Sequence, residues 1–385
     1  MIARAKTNML LPLTLALAAC SGVRLGLQPT MLAGAPRVRV AELKRRLEAY
    51  GVPTQGIIEK EELVRLLNEK EGQAGTRAAS QAAPRQAPSQ PGPQATPARP
   101  GQPPIELPVA FMQGGAYAEI DAAAPTGASR LLRMLIDSGA ATTILSSDAA
   151  AALGFGPPGS RGSLTSRRHP SLALPCGVAS AQQQLPSGVD GILGVDCMRA
   201  YNAAELDWAA AKLRLHAQPY EASGGAAAMP MSMRRVSAGE LPFVTSSFGS
   251  AGAAAPCRVE GLVDTGSPVT MVTPELAEQA RVRWDTDPKE DIITTGVDGQ
   301  PMRMRAATCD AVQLGVGVTH GRTVVYVGVC PMMRAVGWEG TAAALLGLDV
   351  LRSGVQAGKP AAAAAGGPRV GRMVLDFARG RLLVE

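Results

Sequence analysis

The chain has 385 residues and a formal net charge of +6, with 18% charged and 46% hydrophobic residues. That balance excludes a wholly disordered polar chain, and so small a charge does not by itself make a nucleic-acid binder. Aromatics supply only 3%, while Gly and Pro are abundant, which suits small β-rich lobes.

At the amino end, Arg4 and Lys6 precede an apolar run from Met9 to Ala19, and the first acidic residue is Glu42. A basic start, a short apolar stretch and small residues near Ala16–Cys20 predict a signal peptide over 1–20, or the first part of a bipartite targeting sequence. The run is too short to span a bilayer, so no transmembrane segment is expected. The expected location is the secretory pathway, or a plastid reached through it, because the stretch after Cys20 stays basic and acid-free. Leu17-Ala18-Ala19-Cys20 also fits a bacterial lipobox, the weaker alternative.

Residues 37–70 form a compact unit. Leu43, Leu47 and Tyr50 stand at helical spacing, Gly51 stops that helix, and Leu63, Leu66 and Leu67 begin a second stripe. The pattern resembles a SAP-type helix–extended–helix module. Lys44, Arg45 and Arg46 could meet phosphates, but Glu59, Glu61 and Glu62 lie where a DNA-binding version would prefer Lys. Docking of a protein partner, or a simple N-terminal structural role, is therefore the expectation for 37–70, ahead of nucleic-acid binding. Residues 71–104 are Pro, Ala and Gln with almost no larger aliphatic, and should form an extended tether. A looser stretch at 221–238 is expected to link two lobes, 105–220 and 239–385. An alanine-rich stretch at 354–371 is expected to loop out of the second.

The two lobes repeat one pattern. LIDSGAATTIL (135–145) and LVDTGSPVTMV (262–272) each place two apolar residues before Asp, a hydroxyl residue and Gly. GILGVD (191–196) and LLGLDV (345–350) follow, then ELDWAAAKLRL (205–215) and VLDFARGRLLV (374–384). Each lobe reads as strand, Asp-turn, strand, short helix, more strands, apolar-apolar-Gly and a closing hairpin. Ser147 is expected to cap the first helix and Gly154 to end it; Thr273 caps the second, with Pro274 at its first position.

Two carboxylates brought together, Asp137 and Asp264, can share one proton, because like charges that close cannot both ionise. One then serves as general base on a water and the other as general acid. Gly139 and Gly266 allow the tight turn and close backbone approach. Ser138 and Thr265 supply hydroxyls that can bond across the interface.

Two D-[ST]-G triplets, each followed by apolar-apolar-Gly, resemble the aspartic proteases. The local wording is nearest the retropepsin-like group, with both lobes fused as in the pepsin-like one. The resemblance covers roughly 105–385. It implies a mainly β fold of two tandem barrel-like lobes with a central cleft, preceded here by the small helical module. It also implies a catalytic Asp137/Asp264 dyad and hydrolysis of peptide bonds without a cofactor. One chain then suffices for the site, with a peptide or protein as substrate. The alternatives are a narrow processing protease, a protease-like module that binds peptide with little or no cleavage, and a nucleic-acid-associated protein acting through 37–70.

The family's flap is expected from the second lobe alone, with its tip at Gly296, Val297, Asp298 and Gly299. The first lobe offers only RGSLTSRRHPSLALPCGVAS (161–180), a poorer hairpin. Ser267 is expected to donate its hydroxyl to the Asp264 carboxylate, which Ala140 cannot do for Asp137; that asymmetry would leave the shared proton more often on Asp137. Asp196 and Asp349 should make structural hydrogen bonds, and Asp207 and Asp376 should sit in hairpin turns. Trp208 and Phe377 are expected in the core. His169, His216 and His320 show no ligand spacing, so no metal is expected. Ser138 and Ser267 lack a His/Asp set for serine hydrolysis. Beyond Cys20 there are five cysteines without metal-ligand spacing, expected as buried free thiols, although a disulfide within each lobe stays open.

Overall fold

The computed structural model describes residues 103–180, 183, 185–250, 255–284, 292–295, 301–315, 318–352, 355–356 and 371–385. The expected targeting segment, the unit at 37–70, nearly all of the tether, the flap tip at 296–299 and most of 354–371 lie outside the described residues.

The first lobe begins with β1 (Ile105–Met112), β2 (Gly115–Ala123) and β3 (Ser129–Ile136). In β1, Ile105, Leu107 and Val109 are buried while their neighbours are less so, the period-two signature of a strand with one covered face. β4 (Ile144–Leu145), α1 (Ser147–Ala152), β5 (Arg161–Ser166) and β6 (Ala173–Val178) follow. Then come β7 (Gly191–Leu193), α2 (Val195–Arg199), β8 (Ala203–Asp207) and β9 (Lys212–His216). The cap of α1 is Ser146, whose hydroxyl accepts from the Ala149 N–H, one residue earlier than the Ser147 expected from sequence. Either serine satisfies the spacing rule; the extended backbone of Ser146 decides between them.

The second lobe opens with β10 (Ala227–Val236) and β11 (Gly239–Gly249), then β12 (Cys257–Val263) and β13 (Met271–Val272). α3 (Pro274–Gln279), β14 (Arg283–Trp284), β15 (Ile292–Thr295) and β16 (Pro301–Cys309) follow. β17 (Ala311–Leu314), β18 (Val318–His320), β19 (Thr323–Val327) and α4 (Pro331–Ala335) come next. β20 (Ala344–Leu346), α5 (Leu348–Leu351), β21 (Val355–Gln356), β22 (Arg372–Asp376) and β23 (Arg381–Val384) complete the order. Thr273 caps α3 with Pro274 at its first position, as the sequence predicts. The stretch read as a linker at 221–238 is mostly β10. Its alternating Met229 and Met231 are buried, and Pro230 is tolerated because β10 pairs β23 there and meets β11 only from Met231 on, leaving one side without a ladder.

The described chain is mainly β, and each lobe closes into a barrel by the same pairing order. In the first, β2 pairs β3, which runs parallel to β7; β7 pairs β4, β4 pairs β6, β6 pairs β5, and β5 returns to β2. In the second, β11, β12, β20, β13, β19 and β16 repeat that order, and β17, which continues β16, returns to β11. β7 and β20 each lie between a strand ending in an Asp loop and the strand that follows the loop. The loop must therefore cross the end of the inserted strand. A Cβ at Gly194 would fall 2.5 Å from the Thr142 carbonyl carbon, and one at Gly347 would fall 2.3 Å from the Val269 oxygen. The apolar-apolar-Gly motif is thus the strand and the gap over which the Asp loop passes.

Beneath the barrels, six antiparallel strands run in the order β1, β9, β8, β22, β23, β10, three from each lobe. Here Glu205, almost fully buried, meets Arg214 at 2.6 Å and His216 at 2.7 Å. Arg214 also reaches Asp207 and Glu106, each at 2.8 Å. Burial opposes the charge on Glu205, but the bonds from His216 and Arg214 outweigh it and hold its carboxyl below the ordinary range. Asp207 and Asp376 accept from the N–H of Ala210 and Arg379, as hairpin-turn residues should.

The lobes differ between the first helix and the barrel strand after it. Residues 153–160 make that connection in the first lobe. In the second, 280–305 make it, and the stretch includes the β15–β16 hairpin, Ile292↔Met304 through Thr295↔Pro301. The 161–180 segment, read from sequence as a poorer flap, is β5 and β6, the counterpart of β16 and β19 in the barrel wall. Its turn is tied down, with Arg167 N–H donating to the Asp121 carbonyl at 2.8 Å. Sequence spacing finds a hairpin but does not say which hairpin it is.

Candidate active site

β3 and β12 deliver the two Asp loops to the junction of the lobes. Each Asp is anchored by its own N–H to the strand inserted beside it: Asp137 to the Leu193 carbonyl at 3.1 Å, Asp264 to the Leu346 carbonyl at 3.0 Å. The loops then exchange bonds. Ser138 N–H donates to the Thr265 hydroxyl at 2.9 Å, and Thr265 N–H donates to the Ser138 hydroxyl at 3.0 Å. Each hydroxyl in turn donates across the interface, Ser138 to the Val263 carbonyl at 2.7 Å and Thr265 to the Ile136 carbonyl at 2.8 Å. Both side chains are fully buried, so a mispaired group there would have no water to turn to. This four-bond knot fixes the relative position of the loops.

Each glycine faces the other lobe's carboxylate. A Cβ on Gly139 would lie 2.5 Å from Cγ of Asp264, and one on Gly266 would lie 2.3 Å from Cγ of Asp137. The glycine is thus required by a close approach across the interface. Gly139 N–H donates to Asp137 Oδ1 at 2.8 Å and Gly266 N–H to Asp264 Oδ1 at 2.9 Å. The two carboxyls are within hydrogen-bonding reach of each other, and both are buried. Burial raises both above the ordinary carboxylate range. Asp264 is raised well above it, since the charge and hydrogen bond of Asp137 add to its burial. The pair therefore holds one proton between them.

The Ser267 hydroxyl does not serve the dyad. It donates to the Val269 carbonyl at 2.7 Å, while the Ser267 backbone N–H faces Asp264 Oδ1 at 3.2 Å. The Ala140 N–H bonds Asp137 in the same way, so side-chain type at this position creates no asymmetry. The basis for placing the proton on Asp137 is absent, and the pair titrates as a unit.

Asp196 and Asp349 make the expected structural bonds. The Thr143 N–H and hydroxyl donate to Asp196 at 2.9 and 2.6 Å; those of Thr270 donate to Asp349 at 2.9 and 2.7 Å. The threonine hydroxyls accept from the Gly194 and Gly347 N–H groups, both at 3.0 Å. Each clasp ties an Asp loop to the helix after the inserted strand. The sequence carries the signal, a Thr six residues after each dyad Asp.

A second missed signal is Arg199 and Arg352, each three residues after the clasp Asp. Arg199 pairs with Glu240 of the second lobe. The Arg352 guanidinium lies 5.4 Å from the Phe111 ring and 5.9 Å from the Trp208 ring of the first lobe. They are paired struts from each lobe onto the other.

Trp208 is buried, and Phe377 packs partly buried against the core. Cys176, Cys197, Cys309 and Cys330 are buried free thiols, and Cys257 is a half-buried one. Among the described residues no cluster of His, Cys, Asp or Glu could hold a metal ion, and no helix is long and apolar enough to cross a membrane.

No family model matches the chain, and no curated protein does. Among solved structures, it is similar to an aspartic proteinase from Irpex lacteus at 15% identity and a TM-score of 0.44, over 73% of this chain and 96% of that one. It is also similar to basic 7S globulin from soybean at 13% identity and a TM-score of 0.39, over 74% and 95%.

Proposed function

We propose that residues 105–385 form an aspartic endopeptidase. The observation that carries this reading is the pair of buried carboxyls, Asp137 and Asp264, within hydrogen-bonding reach of each other on loops knotted through Ser138 and Thr265. A structural role gives no reason to bury two acids against each other, because each raises the cost of the other's charge.

With one proton on the pair, the ionised carboxylate takes a proton from a water as that water attacks the peptide carbonyl. The protonated carboxyl donates to the carbonyl oxygen as the tetrahedral diol forms. Collapse of the diol breaks the C–N bond, and a proton passes from the dyad to the leaving amine. The backbone N–H groups of Gly139 and Gly266 hold the carboxylates in place through these transfers. The β15–β16 hairpin, which has no counterpart among the described residues of the first lobe, serves as the flap.

The test is incubation of the protein with a mixed peptide library at several pH values, with and without pepstatin. Asp137→Asn and Asp264→Asn should each abolish cleavage. Cleavage that survives either substitution would defeat the assignment.

A further inference from the structure

The first lobe buries two thiols beside its Asp loop. Cys176 lies on β6, where Leu174, Cys176 and Val178 alternate into the core, and Cys197 lies on α2, which packs against β6 and buries that side chain in the same core. The strand after the Asp137 loop draws them together. Gly177 N–H donates to the Thr143 carbonyl at 3.0 Å, and the Thr143 N–H and hydroxyl donate to Asp196 Oδ1 at 2.9 and 2.6 Å. Cys197 N–H donates to that same oxygen at 2.8 Å. Cys176 and Cys197 are thus the chain neighbours of Gly177 and Asp196, the two residues that grip Thr143. The Asp196 charge reaches both thiols, and the charge of Cys176 reaches Cys197.

The second lobe shows what packing alone asks of these positions. Gly177 stands opposite Ile144 as Tyr326 stands opposite Met271, and Asp196 clasps Thr143 as Asp349 clasps Thr270. Cys176 and Cys197 therefore fall where the second lobe has Val325 and Val350, both fully buried. A single buried thiol packs as a small apolar group and needs no other reason. Two of them, replacing both valines beside one clasp, point to covalent use.

We infer that Cys176 and Cys197 are a dithiol–disulfide pair, whose oxidation fastens β6 to α2 around the Thr143–Asp196 clasp. The oxidant is an external disulfide. One thiolate attacks it, forming a mixed disulfide and releasing one thiol. The second thiolate attacks the mixed disulfide, closing the Cys176–Cys197 bond and releasing the other thiol. Two electrons and the two thiol protons pass to the oxidant, which leaves as two thiols. In the closed core Cys176 is 5% exposed and Cys197 0%, so an oxidant has no approach. Burial and the Asp196 charge also push both thiols up, which leaves little thiolate to react. The bond therefore closes as β6 and α2 dock during folding.

The test refolds the full chain from denaturant in oxidised or in reduced glutathione, then unfolds it, alkylates the free thiols and maps the products by mass spectrometry. Both cysteines fall in one tryptic peptide, 169–199, so a second cut before Asp190 separates them. Oxidised refolding should give these two fragments joined by a bond that reductant breaks. It should also raise the urea midpoint above that of protein refolded reduced. Cys176→Val/Cys197→Val, which copies the second lobe, should fold and lose that redox-dependent difference. Free thiols at both positions after oxidised refolding, or a link from either to any other thiol, overturns the pairing. A midpoint difference that persists in the double variant overturns it as well.

Discussion

Gly266→Ala isolates the cross-lobe approach on which the dyad depends. The added Cβ would sit 2.3 Å from Cγ of Asp137 and 2.6 Å from both of its oxygens, where ordinary contact begins near 3.4 Å. Gly266 does not adopt a positive φ, so alanine meets no backbone penalty and the whole effect is steric. Either the Asp137 carboxyl or the loop bearing residue 266 must retreat by about 1 Å, and overpacking of this size costs about 1–3 kcal/mol. A shift of that order at a reacting group costs about a hundredfold in rate. Denaturant unfolding should register the first effect, and peptide hydrolysis the second, as a fall in kcat more than a rise in KM. Gly139→Ala, whose Cβ would meet Cγ of Asp264 at 2.5 Å, should behave alike. Gly321→Ala is the control, because nothing lies within 4 Å of its Cβ. A Gly266→Ala protein with wild-type midpoint and wild-type turnover would refute the reasoning.

Asp349 gives a pH prediction. Burial raises its carboxyl from 3.8 to about 6, so the folded state holds the proton more tightly than the unfolded one. Its contribution to stability is then full below about pH 4 and falls as pH rises through 6, by up to about 3 kcal/mol. Urea unfolding at pH 4 and pH 7 should show a smaller fall for Asp349→Asn than for wild type; equal falls would count against it. Arg214→Met removes the 2.6 Å partner of Glu205 and leaves that buried acid with His216 and a more distant Arg372 at 3.9 Å. The expected cost is about 3–5 kcal/mol in denaturant unfolding, and a loss below about 1 kcal/mol would argue that Arg214 is not needed to hold the buried Glu205.

The repeat was legible because its constraints are local. Asp, hydroxyl and Gly must follow one another on one turn, and the apolar-apolar-Gly strand must leave room at Gly194 and Gly347 for the loop crossing it. These leave a pattern readable in a few consecutive residues. What escaped depends on direction. The Ser267 hydroxyl had an acceptor at Val269, one residue nearer in sequence than Asp264, and nothing in the letters says which it takes. The hairpin at 161–180 has the right turn spacing for a flap, but only its pairing with β2 and β4 assigns it to the barrel wall. Glu205 and Arg214 lie on neighbouring strands, yet their link to Glu106 joins residues over a hundred positions apart. The Arg struts were visible as D-x-x-R in both repeats, but their targets, Glu240 and Phe111, belong to the opposite lobe.

The six-stranded sheet also bears on the order of synthesis. β22 joins the first lobe at β8, and β23 supplies the partner of β10. A nascent chain that has exposed both Asp loops, and even both barrels, still lacks the strands that complete the platform beneath them. Until residues 372–384 leave the ribosome, the bonds through Ser138 and Thr265 and the Arg199–Glu240 pair must hold the two loops together without that platform. Any activity of the pair that needs the whole sheet beneath it therefore arrives late, when the rest of the molecule has already had time to fold.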